Sequence, residues 1–382
     1  MRRVIAVLLS VVFIICPGTE CHAISAHSAI VIDAVSGRVL YAHNPDARMG
    51  MASTTKIMTA VTALENADLN SVATVSKNAY GVEGSSMYLV LGEKLTLEDL
   101  LYGLMLVSGN DAATAIAEHV AGSVDKFAGM MNKKALEIGA YSSNFTNPHG
   151  LANESHYTTA HDLAKITAYG LKNPKFAEIV STKAKSIPWK DHDYNRRLVN
   201  HNKFLSMYDG CIGVKTGFTK ATGRCLVTAV DKDGMKLVCV TLNAPDDWND
   251  HRDLYNSAYG SYHPYIVKSG NEVAATAEVK KGAVKTVNLT CGNDIYIPVK
   301  DGEENSIEAI PEVFEDLRAP ISRGDVIGSL NVRIKGEDCG KFPLIAAENV
   351  ELKKVIFKAS REDLGITMKK VFYMWITCFC RK

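Results

Sequence analysis

The stretch Ser53-Thr54-Thr55-Lys56-Ile57-Met58-Thr59-Ala60-Val61-Thr62-Ala63-Leu64 sets a serine and a lysine at the head of an otherwise uncharged segment. A helix with no charge on any side is buried in the centre of a domain, and Ser53 would begin it. Residues three apart share a helix face, so Lys56 can set its amine beside the Ser53 hydroxyl. A serine hydroxyl is a weak nucleophile until a neighbouring base takes its proton. Burial and a second nearby cation both lower a lysine's pKa and free its lone pair. Taken alone, the pair also fits a helix-capping serine and a solvated lysine.

Two further motifs follow in order, Ser108-Gly109-Asn110 and Lys215-Thr216-Gly217. Each is weak by itself. Ser123-Val124-Asp125-Lys126 repeats the first spacing, Ser142-Ser143-Asn144 and Ser329-Leu330-Asn331 the second, and Lys268-Ser269-Gly270 mimics the third. Only the ordered set carries information. Within it Lys215 supplies the second cation, Ser108 can relay a proton to a leaving amine, and Asn110 can orient Lys56 and a substrate amide. Lys215-Thr216-Gly217-Phe218-Thr219 reads as an edge strand. Its glycine admits a close backbone, Thr216 can bond a carboxylate, and the Ser53 and Phe218 backbone N–H groups would form an oxyanion hole.

Residues from about 28 to 265 read as one mixed α/β (α+β) domain. Ala29–Asp33 and Val35–Tyr41 predict a β-hairpin turning at Ser36-Gly37. Helical patterns lie around 54–66, 96–107, 110–121, 124–138 and 159–172. Strand-like runs Cys225–Val230 and Leu237–Leu242 flank a turn at Asp231-Lys232-Asp233-Gly234. Two strand regions with helices between them suit a sheet covered by helices. From about 275, alternating Val287/Leu289, Ile295/Ile297/Val299 and Leu330/Val332/Ile334 predict a small all-β domain.

The ends carry location signals. Arg2-Arg3 precede the uncharged Val4–Cys16, then Pro17-Gly18 and Cys21-His22-Ala23, as in a secretory signal peptide cleaved after Ala23; an uncleaved anchor is the alternative. Residues 351–382 hold eight Lys/Arg against three acids. Ten uncharged residues there are too few to span a bilayer. Lys370, Tyr373, Thr377 and Arg381 form one polar stripe opposite Phe372, Trp375, Ile376 and Phe379, which suits a helix lying on an anionic membrane or packing on a partner. The predicted division is therefore signal peptide 1–23, main domain 24–270, β-rich domain 271–350 and tail 351–382. A formal net charge of +1 gives no dedicated nucleic-acid surface. Of nine cysteines, Cys211, Cys225, Cys239, Cys291 and Cys339 lie between the ends, odd in number and widely spaced. Cys225 and Cys239 read as small buried hydrophobes.

The ordered motifs resemble the serine penicillin-recognising enzymes. Phe145-Thr146-Asn147-Pro148-His149-Gly150-Leu151, His156-Tyr157-Thr158-Thr159-Ala160, Asp162-Leu163-Ala164, Gly84-Ser85-Ser86-Met87 and Asn200-His201-Asn202 ahead of Asp209-Gly210 narrow this to one branch. They resemble the low-molecular-mass penicillin-binding proteins, serine-type D-alanyl-D-alanine carboxypeptidases of peptidase family S11. The resemblance implies a β-lactamase/transpeptidase-like domain, a trailing β-domain and an amphipathic tail. It implies an exported enzyme at the outer face of the bacterial cytoplasmic membrane. Its partners would be peptidoglycan stem peptides ending in D-Ala-D-Ala, β-lactam antibiotics and the membrane surface, with no cofactor and no metal. Ser53 would be the nucleophile, Lys56 the base, Ser108 the relay, and Asn110, Lys215, Thr216, Gly217 and Phe218 the remaining site. The family also uses an arginine after the third motif for the terminal carboxylate. Arg252 in His251-Arg252-Asp253 is the best match, a plain surface arginine being the other reading. Two positions depart from some relatives: Phe218 stands where they have histidine, and His201 where they have arginine.

Rival chemistries fit less well. A class A β-lactamase pairs its serine with S-D-N and a deacylating glutamate, whereas Gly109 occupies the middle position and no matching glutamate loop lies between 150 and 200. A zinc peptidase would use H-E-x-x-H, which does not occur; His156 and His161 are the nearest approach. A non-catalytic envelope scaffold would tolerate loss of Ser53 or Lys56, and both are present. Carboxypeptidase and endopeptidase activity share the same machinery.

Overall fold

The computed structural model describes residues 24–354 and 367–370. The predicted signal peptide and nearly all of the predicted amphipathic helix lie outside the described residues. Among those described, no helix is long and apolar enough to cross a membrane. They form two compact units, one of 24–266, 296–308 and 333–340, the other of 267–295, 309–332, 341–354 and 367–370.

The first unit is built on five strands, β1 (Ser28–Asp33), β2 (Val39–His43), β3 (Cys211–Thr219), β4 (Gly223–Lys232) and β5 (Met235–Leu242), in the order β2-β1-β5-β4-β3. Every pairing is antiparallel. The first hairpin forms as expected. The Asp33 carboxylate closes its turn by accepting from the Ser36 N–H at 2.7 Å and hydroxyl at 2.6 Å. β4 and β5 meet at the expected turn, with Lys232 opposite Met235. β3 takes the sheet edge predicted for it.

Successive side chains on a strand point to opposite faces, and the two faces bury different things. Ile30, Ile32, Val238 and Val240 enter the main core with α1 (Lys56–Asn66), α2 (Leu97–Leu106), α3 (Asn110–Ala121), α4 (Val124–Ile138) and α5 (Ala160–Gly170). Ala29, Val31, Leu237 and Cys239 face Leu254, Tyr255 and Ala258 of α6 (Asp247–Ser261). Because both faces are covered, β1 reads as an unbroken buried run. α1 carries no charge between Lys56 and Glu65 for the same reason: residues 56–63 are all buried.

The five helices read from the sequence are present within a residue or two. α6 is not anticipated, because DWNDHRDLYNSAYGS is polar on most of its surface and buries only a narrow stripe. Helix Pro174–Ser181 and the short hairpin of Ala184–Ile187 with Arg196–Val199 are likewise additions. A second five-stranded sheet joins β6 (Ala275–Glu278), β7 (Thr286–Thr290), β8 (Ile307–Val313), β9 (Val326–Ile334) and β10 (Glu337–Ala346) in the order β6-β7-β10-β9-β8. Its alternating Val287, Leu289, Leu330, Val332 and Ile334 are buried. The observed α+β architecture with an all-β addition matches the predicted class.

One close approach fixes the turn that carries Ser53. Gly150 has φ 88°, and a Cβ there would lie 1.9 Å from the Ala52 carbonyl oxygen. Gly150→Ala must therefore strain both segments, at about 2–4 kcal/mol. Chemical unfolding should show a lower midpoint at unchanged slope; an unshifted midpoint would refute the contact.

Candidate active site

Ser53 lies in the 3-10 turn Ala52–Thr55 that runs directly into α1. The turn is braced from behind. The Thr55 hydroxyl donates to the Ala52 carbonyl at 2.8 Å and lies 2.8 Å from His156 Nε2. His156 Nδ1 accepts from the Thr146 N–H at 3.0 Å, which leaves the ring proton on Nε2, facing Thr55. Burial lowers the His156 pKa to about 4, so it serves as a neutral strut.

Lys56 is completely buried. Its Nζ donates to Ser53 Oγ at 2.9 Å, to Asn110 Oδ1 at 2.7 Å and to the His149 carbonyl at 2.7 Å. Desolvation, with the positive charge of Lys215 second, holds its pKa well below the ordinary lysine value. The nearby Asp111 opposes this more weakly. Once neutral, the amine keeps its two N–H groups for Asn110 Oδ1 and the His149 carbonyl and turns its lone pair to the Ser53 hydroxyl, 2.9 Å away, as a competent proton acceptor.

Asn110 begins α3, and its Nδ2 donates to the Glu83 carbonyl at 2.5 Å while its backbone N–H donates to Ser85 at 2.7 Å. Its carbonyl oxygen is thereby aimed at Lys56. Ser108, two residues earlier, has a left-handed backbone (φ 62°) that a non-glycine residue adopts only under constraint. Its buried hydroxyl has no protein partner. A buried hydroxyl left unpaired is costly unless something occupies it during function. Ser108 lines the same cleft as Ser53.

That cleft encloses about 410 Å³ and is lined by Ser53, Ser108, Thr216, Gly217, Phe218 and His201 among others. Lys215, one residue before the lining strand segment, is 1 % exposed, and burial lowers its pKa to about 7. Its Nζ donates to the Thr216 carbonyl at 3.0 Å. Gly217 answers to a nearer constraint than a substrate: a Cβ there would lie 3.0 Å from the Ser53 backbone nitrogen. The Phe218 side chain is exposed, which leaves its backbone as the part facing the turn. The three motifs, spread over residues 53–217 of the sequence, thus converge on one cleft.

The expectation for Arg252 needs correcting. It sits on α6 beside Asp253, 3.3 Å from that carboxylate, and does not line the cleft. The helix turns it outward, where half its side chain is exposed. Arg224, on β4 opposite Phe218, lines the cleft instead. Its Nε and Nη2 both donate to Asp247 Oδ1, at 3.0 and 2.9 Å, and its guanidinium lies 6.0 Å from the Trp248 ring centre. Nothing in the local sequence marks Arg224, because only the β3–β4 pairing brings it there. His149 contributes its backbone carbonyl, which accepts from Lys56. His201 lines the cleft with its pKa lowered by burial and by Lys215.

Comparison with known proteins agrees with this geometry. Residues 17–246 match the D-alanyl-D-alanine carboxypeptidase family, and 263–352 match the C-terminal domain of penicillin-binding protein 5. The chain is 33 % identical over 335 residues to D-alanyl-D-alanine carboxypeptidase DacF of Bacillus subtilis, covering 85 % of this chain and 86 % of that one. The chain belongs to the D-alanyl-D-alanine carboxypeptidases of peptidase family S11. This carboxypeptidase is also 30 % identical to DacC of Escherichia coli over 349 residues, covering 87 % and 86 % of the two chains. Among solved structures, penicillin-binding protein 5 from Haemophilus influenzae superposes with a TM-score of 0.69 at 28 % identity, covering 86 % of this chain and 98 % of that one. The fold is therefore that of penicillin-binding protein 5, β-domain included.

The two lysines imply a pH profile. Lys56 accepts a proton only when neutral, so activity of the carboxypeptidase should rise with pH through its depressed pKa. It should fall again above about 7 as Lys215 loses its charge. Replacing Lys215 with arginine, which stays charged, should remove the alkaline limb. Above about pH 7 the unfolded chain still holds the proton that folded Lys215 has lost, so stability rises with pH from there toward the ordinary lysine value of 10.5. Stopped-flow acylation by a chromogenic cephalosporin checks the profile, and a flat response would refute it.

Proposed function

We propose that this chain removes the terminal D-alanine from peptidoglycan stem peptides ending in D-Ala-D-Ala, through an acyl-enzyme on Ser53. The observation that carries the reading is the buried Lys56 amine 2.9 Å from the Ser53 hydroxyl, with Lys215 adding positive charge from the neighbouring strand. Ser53 Oγ attacks the penultimate D-Ala carbonyl carbon while its proton passes to Lys56 Nζ. The developing oxyanion is met by the Ser53 and Phe218 backbone N–H groups. Collapse of the tetrahedral adduct breaks the peptide bond. The departing nitrogen takes its proton from Ser108, which is resupplied by Lys56, and D-alanine leaves. Water then attacks the ester and gives a proton to Lys56 Nζ; as the ester bond breaks, Lys56 returns that proton to Ser53 Oγ and the shortened peptide leaves. β-Lactams enter by the same attack, and their ring-opened acyl group stays tethered.

Asn110 holds Lys56 in place and offers its second amide hydrogen to the acyl-donor chain. Thr216 and Arg224 take the terminal carboxylate, with Lys215 stabilising it from below. A leader at 1–23, a peptidase domain at 24–270, a β-rich domain at 271–350 and a basic, aromatic tail at 351–382 would suit an enzyme working at the outer surface of the cytoplasmic membrane. There the tail would rest on anionic lipid.

D-alanine release from a synthetic stem pentapeptide tests the reading. Release should vanish in Ser53→Ala; release that survives would overturn the serine mechanism. Ser108→Ala should lower kcat by about a hundred- to ten-thousand-fold. Arg224→Ala should raise KM by about tenfold, the loss of one charge-assisted hydrogen bond. Arg252→Ala should stay within about twofold. If Arg252→Ala carried the KM effect instead, the carboxylate assignment would be wrong.

A further inference from the structure

A buried ion pair outside the cleft has no part in the chemistry above. Arg196 is 3 % exposed and Glu93 1 %, and Arg196 Nη2 lies 3.1 Å from each Glu93 carboxylate oxygen. The same nitrogen donates to the Tyr88 carbonyl at 3.0 Å. The Trp189 ring covers the guanidinium, 5.0 Å away, while Nε and Nη1 are buried without a hydrogen-bond partner. As a source of stability this is a poor arrangement. A buried pair gains little over apolar side chains, and unpaired N–H groups add to its cost. What it does achieve is to fix one nitrogen between Glu93 and Tyr88.

Tyr88 is a strained point in its loop. Its backbone is left-handed (φ 61°) although it is not glycine, and its exposed side chain does nothing to hold it there. The peptide unit it shares with Leu89 is gripped at both ends instead. Arg196 holds the carbonyl oxygen, and the Leu89 N–H donates to Asp111 Oδ2 at 3.0 Å. Asp111 also accepts from the Met87 N–H at 3.1 Å and from the Ser86 hydroxyl at 2.6 Å. Glu93 secures the far end of the loop by accepting from the Val90 N–H at 2.9 Å.

The near end of the loop reaches the catalytic lysine through one residue. The Glu83 and Ser85 carbonyls accept from the side chain and the backbone of Asn110, and Ser85 itself lines the cleft. Gly84 presses on the same amide: its φ is 95°, and a Cβ there would lie 2.7 Å from Asn110 Nδ2. Asn110 Oδ1 in turn accepts from Lys56. A Tyr88–Leu89 peptide free to rotate would loosen the grip of Asp111 on the loop, and with it the two carbonyls that aim Asn110.

We propose that Arg196 and Glu93 are positioning residues: their pair clasps the Tyr88–Leu89 peptide and so keeps Asn110 aimed at Lys56. The proposal rests on the serine mechanism and deepens it. The test uses the full chain and two variants. Glu93→Met combined with Arg196→Leu makes the pair apolar and leaves no buried charge unpaired. Arg196→Lys keeps a charge beside Glu93, but its side chain is one bond shorter and cannot reach Tyr88 as well. Rates are referred to the sites that a fluorescent penicillin titrates, so a variant that folds poorly is still read.

In the apolar variant kcat for D-alanine release should fall about tenfold with KM within about twofold, because Lys56 acts only in the transition state. Arg196→Lys should lose about threefold. Added to Asn110→Ala, either change should cost nothing further, since residues acting through one another are not additive. Parental kcat per site in either variant would overturn the clasp, as would losses that add in full to that of Asn110→Ala. Should the parent enzyme release no D-alanine, the carboxypeptidase reading fails. Acylation by a chromogenic cephalosporin, followed through the same variants and the same Asn110→Ala cycle, then decides the clasp by itself, with unchanged rates rejecting it.

Discussion

Everything at the centre of this molecule depends on keeping one amine dry. Lys56 has no exposure to water; Asn110 Oδ1 and the His149 carbonyl accept from its nitrogen and the Ser53 hydroxyl completes its surroundings, so only protein groups stand in for water. Removing a charge from water is expensive, and the amine relieves that cost by giving up its proton. That is the state in which it can take one from Ser53. The acceptors arrive from α3 and from the Pro148–Gly150 turn, which is why distant parts of the chain must close on α1 before the site exists.

Close backbone approach is the second constraint, and it explains residues that carry no chemistry. Gly150 lies against Ala52, and Gly217 against the nitrogen of Ser53. A single methyl group at either place would push the nucleophile turn away from its surroundings. Ser108 accepts a left-handed backbone in the same crowded region. The strain sits next to the cleft, and the packed helices α2 and α3 hold it there. The histidines nearest the site belong to this scaffold. His156 braces Thr55 and His149 supplies a carbonyl; burial holds both rings' pKa values near about 4.

Much of the architecture was legible because burial leaves a periodic trace. The uncharged face of α1, the alternating strands and the Ser36-Gly37 and Asp231–Gly234 turns each followed from local rules. The look-alike motifs show why the ordered set was needed. Ser123 of the second S-x-x-K caps α4 by accepting from the Lys126 N–H at 3.3 Å, and Lys268 forms a surface pair with Glu272. Both have the right letters and no chemistry. α6 escaped notice because its buried stripe is narrow and its remaining surface polar.

The sequence by itself picked out Ser53, Lys56, Ser108 and the Lys215–Thr219 strand that the structure brings to one cleft, because these lie in short segments whose internal spacing is set by helix and strand geometry. It determined the kind of sheet and the all-β texture of the later residues on the same ground. Only the tertiary structure decided which arginine faces the cleft. Arg224 reaches it through cross-strand pairing with Phe218, while Arg252 is turned outward by the helix that carries it. It also decided that Gly217 serves the Ser53 turn. Contacts between residues far apart in the chain leave no local pattern, since each partner is selected by the surface it meets after folding.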